Sequence, residues 1–275
     1  MIPAAFDYRR ASSVEDALGL LSAFGEDAKL IAGGHSLLPL MKLRLAAPSV
    51  LVDLGRVREL SYVRDRGDHI AVGALTRHVD VSTNDIVQAE APILGHVAGQ
   101  IGDPQVRHRG TIGGSIAHGD PASDLPAACL ALGASFAVVG PSGERVVAAD
   151  EFFVGFLQTV LASDEILTEI RVPKIAGAGW SFQKFTRRAQ DWAIVGVAAV
   201  CNGASRVALV NMADTPVRTH GAEAALASGA TPAEAAAHAS DGIDPPSDVR
   251  ATAEYRRHLA EVLVGRALDE AGARS

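Results

Sequence analysis

A chain of 275 residues with 48% hydrophobic and 21% charged residues has the composition of a soluble globular protein, enough for one large domain or two ordinary ones. Its net charge of −7 and pI near 5.7 exclude the basic stripe of a nucleic-acid surface. No apolar run approaches the roughly 20 residues that span a bilayer. The stretch Met1–Tyr8 lacks the basic-then-apolar order of a signal peptide, so a cytoplasmic setting is expected. Cys129 and Cys201, both in apolar surroundings, are expected to be buried thiols; two cysteines so far apart cannot hold an iron–sulfur cluster.

Residues 4–55 read as a small β-α-β unit. Phe6-Asp7-Tyr8 is a short strand, Ser13 an N-cap, and Val14, Ala17, Leu18 and Leu21 repeat at helical spacing before Gly25. Strands at Lys29–Ala32 and Val50–Leu54 enclose a short helix at Leu37–Leu45. A larger lobe, about 58–175, opens with a hairpin around Asp65–Asp68 and continues with a helical region from Thr76 to Gly102, interrupted at Pro92. A polar loop at 103–109 follows. Pro121–Leu132 reads as a helix with proline in its first turn. Ser135–Gly140 and Arg145–Ala148 form a second hairpin, and Glu165–Pro173 alternates as a strand. Beyond a Gly/Ala linker at Lys174–Gly179 come three candidate strands, Trp180–Arg187, Ala193–Cys201 and Arg206–Met212. Helices at Val217–Ala227, Pro232–Ser240 and Thr252–Ala271 then complete an α+β unit.

Two stretches share one plan. Leu30-Ile31-Ala32 leads into Gly33-Gly34-His35-Ser36-Leu37, and Thr111-Ile112, a β-branched pair that reads as the end of an extended segment, leads into Gly113-Gly114-Ser115. A glycine pair lets backbone approach a ligand closely, and successive N–H groups in such a turn form a concave anion site. Two such turns would suit the two phosphates of one dinucleotide; a lone Gly-Gly is more often only a tight turn. No G-x-G-x-x-G follows a strand and no P-loop motif occurs, which disfavours a Rossmann or P-loop domain. The nine histidines show no H-E-x-x-H pairing, and there is no G-x-S-x-G elbow. A redox cofactor that brings its own chemistry would explain the missing acid, base and nucleophile.

Phe6-Asp7-Tyr8, Ala32–Pro39, Thr111–Asp124, Glu165-Ile166-Leu167, Lys184–Arg188 and Ala253–Arg257 occur in one order and spacing. This set resembles the FAD-binding medium subunit of the molybdenum hydroxylases, and is similar to the module that bacterial carbon monoxide dehydrogenase carries as a separate polypeptide. The resemblance implies an α+β fold. A two-lobed FAD-binding domain of the vanillyl-alcohol-oxidase/PCMH type would span 1–175 (lobes about 1–57 and 58–175), and a small C-terminal domain with a three-stranded sheet would span 176–275. It implies non-covalent FAD, with Ala32, Gly33, Gly34, His35, Ser36 and Leu37 as one cradle for the pyrophosphate and Thr111, Ile112, Gly113, Gly114 and Ser115 as the other. Asp124 would bind a polar group of the cofactor, Ile101 would pack on the flavin, and Leu167 and Lys184 would make further contacts. Trp192 would lie beside the isoalloxazine ring, or else be a core tryptophan of the third domain.

The implied role is electron transfer from an iron–sulfur small subunit, with [2Fe-2S] clusters, to an acceptor that the sequence does not identify. A large subunit with the molybdenum cofactor would oxidise the substrate, and the complex would be a dimer of heterotrimers. Two other readings stand beside it: a stand-alone FAD oxidase of the vanillyl-alcohol-oxidase type, and a non-enzymatic FAD-binding protein.

Overall fold

The computed structural model describes residues 2–274. In the first lobe, strands Asp7–Arg10, Val50–Asp53 and Ala28–Ile31 form a three-stranded parallel sheet with Val50–Asp53 in the centre. Helix Val14–Phe24 is capped by Ser13, whose side chain accepts from the N–H of Asp16, and lays Ala17 and Leu21 onto the sheet. Parallel neighbours need crossover connections. Here one crossover is the helix, and the other carries the turn at Gly33-Gly34.

The second lobe is built on a five-stranded sheet in the order Val63–Asp65, His69–Gly73, Ile166–Pro173, Ser135–Gly140, Gly143–Ala148, antiparallel throughout. Helix Asp124–Leu132, with every residue buried, lies between this sheet and the sheet of the third domain. The third domain is a four-stranded antiparallel sheet of Gly179–Phe185, Val195–Asn202, Ala204–Val210 and Val217–Arg218. Side chains alternate across a strand. In Val195–Asn202 one set (Ala198, Val200) joins the core of the second lobe, and the other (Val195, Val197, Ala199) packs under the long helix Ala253–Ala273. The second lobe and the third domain therefore share one continuous core.

Several expectations are corrected. The third-domain sheet has four strands, not three. Val217–Arg218 pairs with Ala208 and Leu209, and the helix begins only at His220, after Thr219 caps it. The helical region 76–102 divides into His78–Thr83, Asp85–Glu90 and Pro92–Gly99, with Asn84 capping the second. The loop after it holds a one-turn helix, Pro104–Arg107. Pro121 lies outside the helix expected from it, which starts at Asp124 after Ser123. Cys129 is buried, and desolvation pushes its thiol up to about 12; Cys201 is only half-buried.

Candidate functional site

At the end of strand Ala28–Ile31 the chain turns through Gly33 and Gly34 into helix Leu37–Lys42, with Gly34 at φ 76°. Gly33 touches the second lobe directly. A Cβ there would lie 2.3 Å from the carbonyl oxygen of Arg109 and 2.8 Å from the Cα of Gly110, so only glycine lets the two segments meet. Among the described residues, the N–H groups of Gly33, Gly34, His35 and Ser36 donate to no protein acceptor. Successive unpaired donors of this kind suit an anion.

The second glycine pair is built differently from the first. Thr111 is not the end of a strand feeding a loop but the N-cap of helix Ile112–His118, and Gly113 and Gly114 lie inside its first turn. The segment is laid on residues 74–78: Gly113 N donates to Ala74 O (2.9 Å), Ile112 N to Thr76 O (3.0 Å), and His78 N to Gly110 O (3.0 Å). Gly113 is needed because a Cβ would stand 2.4 Å from that of Ala74. Gly114 N donates to Thr111 Oγ1 at 3.2 Å and Ser115 N to Thr111 O at 3.1 Å. The backbone donors from 112 to 115 are therefore already engaged by the fold. This segment presents the exposed backbone of Gly114 and the half-buried Ser115 hydroxyl instead.

His78, which residue type and spacing did not single out, lies beneath the join. It is buried, its Nε2 is 3.4 Å from Ser115 Oγ, and the imidazole of His35 and the guanidinium of Arg107 act on it electrostatically. Burial is the main cause that holds it well below the ordinary histidine range, at about 4, and the interactions with His35 and Arg107 lower it further. The sequence offered one signal, Gly110, whose missing side chain makes room for the ring.

Asp124 and Lys184 meet each other. Lys184 Nζ donates to Asp124 Oδ2 at 2.6 Å, with side chains 9% and 5% exposed. Burial pushes the Asp124 carboxyl up, the Lys184 ammonium opposes this, and Asp120 adds to the rise. Asp120 itself is a turn-capping carboxylate that accepts from Ala122 N. Leu167 is buried at a bulge of its strand, in the same core as Ile112, and Ile101 packs against that core. Arg107 Nη1 donates to Ile101 O at 3.1 Å. Trp192, at 56% exposure, is on the surface, so the core-tryptophan alternative does not hold.

A cleft of about 590 Å³ opens beside Ala32, Gly33 and Thr111, with Arg56, Arg58 and Arg109 on its wall. Those three guanidinium groups have no carboxylate partner among the described residues. Two buried polar atoms of the second lobe are orphaned, Asp124 Oδ1 and His78 Nδ1. Buried polar groups are nearly always satisfied, and each exception calls for its own explanation, a functional role or a bound water or ion among them.

Free backbone donors after a parallel strand and a capped helix start pressed against the same turn give the class of site that suits the anionic part of a nucleotide-type cofactor held between two lobes. The comparisons carry this to a family. Residues 4–175 match the FAD binding domain in molybdopterin dehydrogenase and 180–271 the CO dehydrogenase flavoprotein C-terminal domain, and the chain belongs to this family of FAD-binding oxidoreductase components. It is 45% identical to the carbon monoxide dehydrogenase medium chain of Hydrogenophaga pseudoflava, over 100% of this chain and 99% of that one. It is 40% identical to the 6-hydroxypseudooxynicotine dehydrogenase complex subunit alpha of Paenarthrobacter nicotinovorans, over 98% and 96%. Its fold is similar to a solved structure of carbon monoxide dehydrogenase from Hydrogenophaga pseudoflava, with TM-score 0.96 at 46% identity over 100% of this chain and 99% of that one. Among the described residues no helix is long and apolar enough to cross a membrane.

Proposed function

We propose that this chain is the FAD-carrying electron-transfer subunit of a cytoplasmic molybdenum hydroxylase complex of the carbon monoxide dehydrogenase kind. It takes electrons from an iron–sulfur small subunit and passes them to an external acceptor, while a molybdenum-containing large subunit oxidises the substrate. In this reading the complex is a dimer of heterotrimers, residues 1–175 form the FAD-binding domain and 176–275 form a C-terminal domain of the molybdenum-hydroxylase flavoprotein type. One observation carries the assignment. Two relatives alike over nearly their whole length are named for different substrates, carbon monoxide and 6-hydroxypseudooxynicotine. A chain that stays alike while the substrate changes fits a shared redox link rather than the place where substrate is chosen.

Bound FAD supplies the capacity to accept electrons singly and release them singly or in pairs. The protein's part is to hold and orient it. The free N–H groups of Gly33–Ser36 would cradle the pyrophosphate, and the Ser115 hydroxyl would join them from the second segment. Asp124 Oδ1 would accept a hydrogen bond from a cofactor donor, with Lys184 holding the carboxylate in place. Ile101 and Leu167 would supply apolar surface, and Trp192 would cover one face of the ring.

The test is anaerobic flavin reduction. Carbon monoxide, aldehydes and N-heterocycles are added to the isolated chain and then to the chain purified with its small and large subunits. Bleaching in the complex alone is expected. Rapid bleaching of the isolated chain by any of these substrates would overturn the assignment in favour of a stand-alone oxidase.

A further inference from the structure

His78 has no part in the cofactor contacts described above, yet it stands where the two glycine segments join. It is 3% exposed, and Gly110 is shaped around it, since a Cβ there would lie 2.7 Å from the ring's Nε2. Its backbone N–H is fixed by Gly110 O, and Arg77 beside it forms an antiparallel bridge with Thr111. Nε2 is 3.4 Å from Ser115 Oγ, while Nδ1 is buried with no partner among the described residues.

A neutral imidazole carries one N–H and one bare nitrogen. A proton on Nδ1 would be buried with no acceptor, whereas a proton on Nε2 meets the Ser115 oxygen. Orphaned buried N–H groups are rarer than under-satisfied acceptors, which favours the second arrangement. Nε2–H then donates to Ser115 Oγ, and the serine's own O–H must point to a different acceptor. Ser115 N is already committed to Thr111 O, so the hydroxyl is the residue's one remaining donor. An anionic oxygen is the acceptor to which a hydroxyl bonds most strongly.

We propose that His78 is a positioning residue of the cofactor site, holding Ser115 with its hydroxyl proton turned outward to donate to a phosphate oxygen of FAD. The role rests on the FAD reading above. The test uses the full chain, freed of cofactor and titrated with FAD, together with a long-range ¹⁵N–¹H spectrum of its histidines at neutral pH without FAD. His78→Leu and Ser115→Ala are each expected to weaken FAD binding about tenfold, the size of one lost hydrogen bond. The double variant should bind no more weakly than Ser115→Ala alone, and His78→Gln, which keeps a donor near Nε2, should recover most of the loss. The signal lost on substituting His78 should be that of an Nε2–H tautomer.

An Nδ1–H tautomer, or losses that multiply in the double variant, would overturn the proposal. Unchanged affinity in a folded His78→Leu chain would do the same while leaving the FAD reading intact. Failure of the unaltered chain to bind FAD would instead overturn the cofactor reading itself. Should His78→Leu not fold, Ser115→Ala and the tautomer still decide: the proposal falls if the serine variant binds FAD as the unaltered chain does.

Discussion

Lys184 Nζ reaches Asp124 Oδ2 at 2.6 Å, joining the first strand of the third domain to the buried helix of the second lobe. Taking two charges out of water is costly, and the pair holds only while both members remain. Lys184→Met is expected to destabilise the chain by about 3–5 kcal/mol near pH 7, read from the urea midpoint, because it leaves a buried carboxylate unpaired. The loss should shrink as the solution is acidified. Burial already raises the Asp124 carboxyl, and without the opposing ammonium the folded state takes up a proton more readily than the unfolded chain. A loss that grew on acidification would show that the pair does not carry this stability.

The carboxylates at 120 and 124 separate by partner. Asp120 Oδ1 accepts from Ala122 N within its own turn, while Asp124 keeps a buried, orphaned Oδ1. Asp124→Ala is therefore expected to lower FAD retention through gel filtration more than Asp120→Ala does. The reverse order would exchange the two roles.

The glycines divide in the same way. Gly33→Val forces a side chain into the carbonyl of Arg109, so both thermal stability and FAD content should fall. Gly114 is exposed, and an added Cβ meets only Thr111 Oγ1, at 2.8 Å. Gly114→Val should leave the chain folded by circular dichroism while FAD content drops. Full FAD content in Gly114→Val would remove the second segment from the cofactor site.

His78 gives stability a dependence on pH whose sign is fixed. Its folded value is about 4, against 6.5 for a free histidine. Between these values the unfolded chain holds a proton that the folded chain does not, so stability falls as pH drops from about 6.5 toward 4 and levels off below. A shift of this size corresponds to about 3 kcal/mol. His96 and His118 are shifted the same way by burial, so the measurement is the difference between wild type and His78→Gln in urea midpoints across this range. Parallel curves would mean that His78 titrates normally.

What the sequence made legible follows from how local each signal is. The capped helix after Ser13, the parallel unit around it and the glycine turn after Ile31 are set by neighbours within a few residues, and they appear as expected. Thr111-Ile112-Gly113-Gly114 misled because a β-branched pair reads as strand, while the Thr111 side chain closes onto Gly114 N and starts a helix. Val217–Arg218 was hidden because two residues carry no periodicity; they become a strand only through pairing with Ala208 and Leu209. His78 and the Asp124–Lys184 contact depend on residues 37 and 60 positions apart, and no local pattern encodes them.

Trp192 offers the cleanest separation of fold from function. It is 56% exposed, and its backbone N–H donates to the Asp191 carboxylate at 2.9 Å, so the residue is held by its main chain while the indole has no hydrogen-bond partner among the described residues. Truncating a core aromatic costs about 3–5 kcal/mol, whereas surface substitutions usually stay within about 0.5 kcal/mol. Trp192→Ala is therefore expected to leave the urea midpoint almost unchanged. If the indole covers the flavin, the same variant should change the visible absorption and fluorescence of bound FAD, because a stacked aromatic is worth about 0.5–1.5 kcal/mol beyond burial and its loss alters the ring's surroundings. Trp192→Phe should keep most of the wild-type spectrum. An unaltered flavin spectrum in Trp192→Ala would place the indole away from the ring and leave it as exposed apolar surface for another chain.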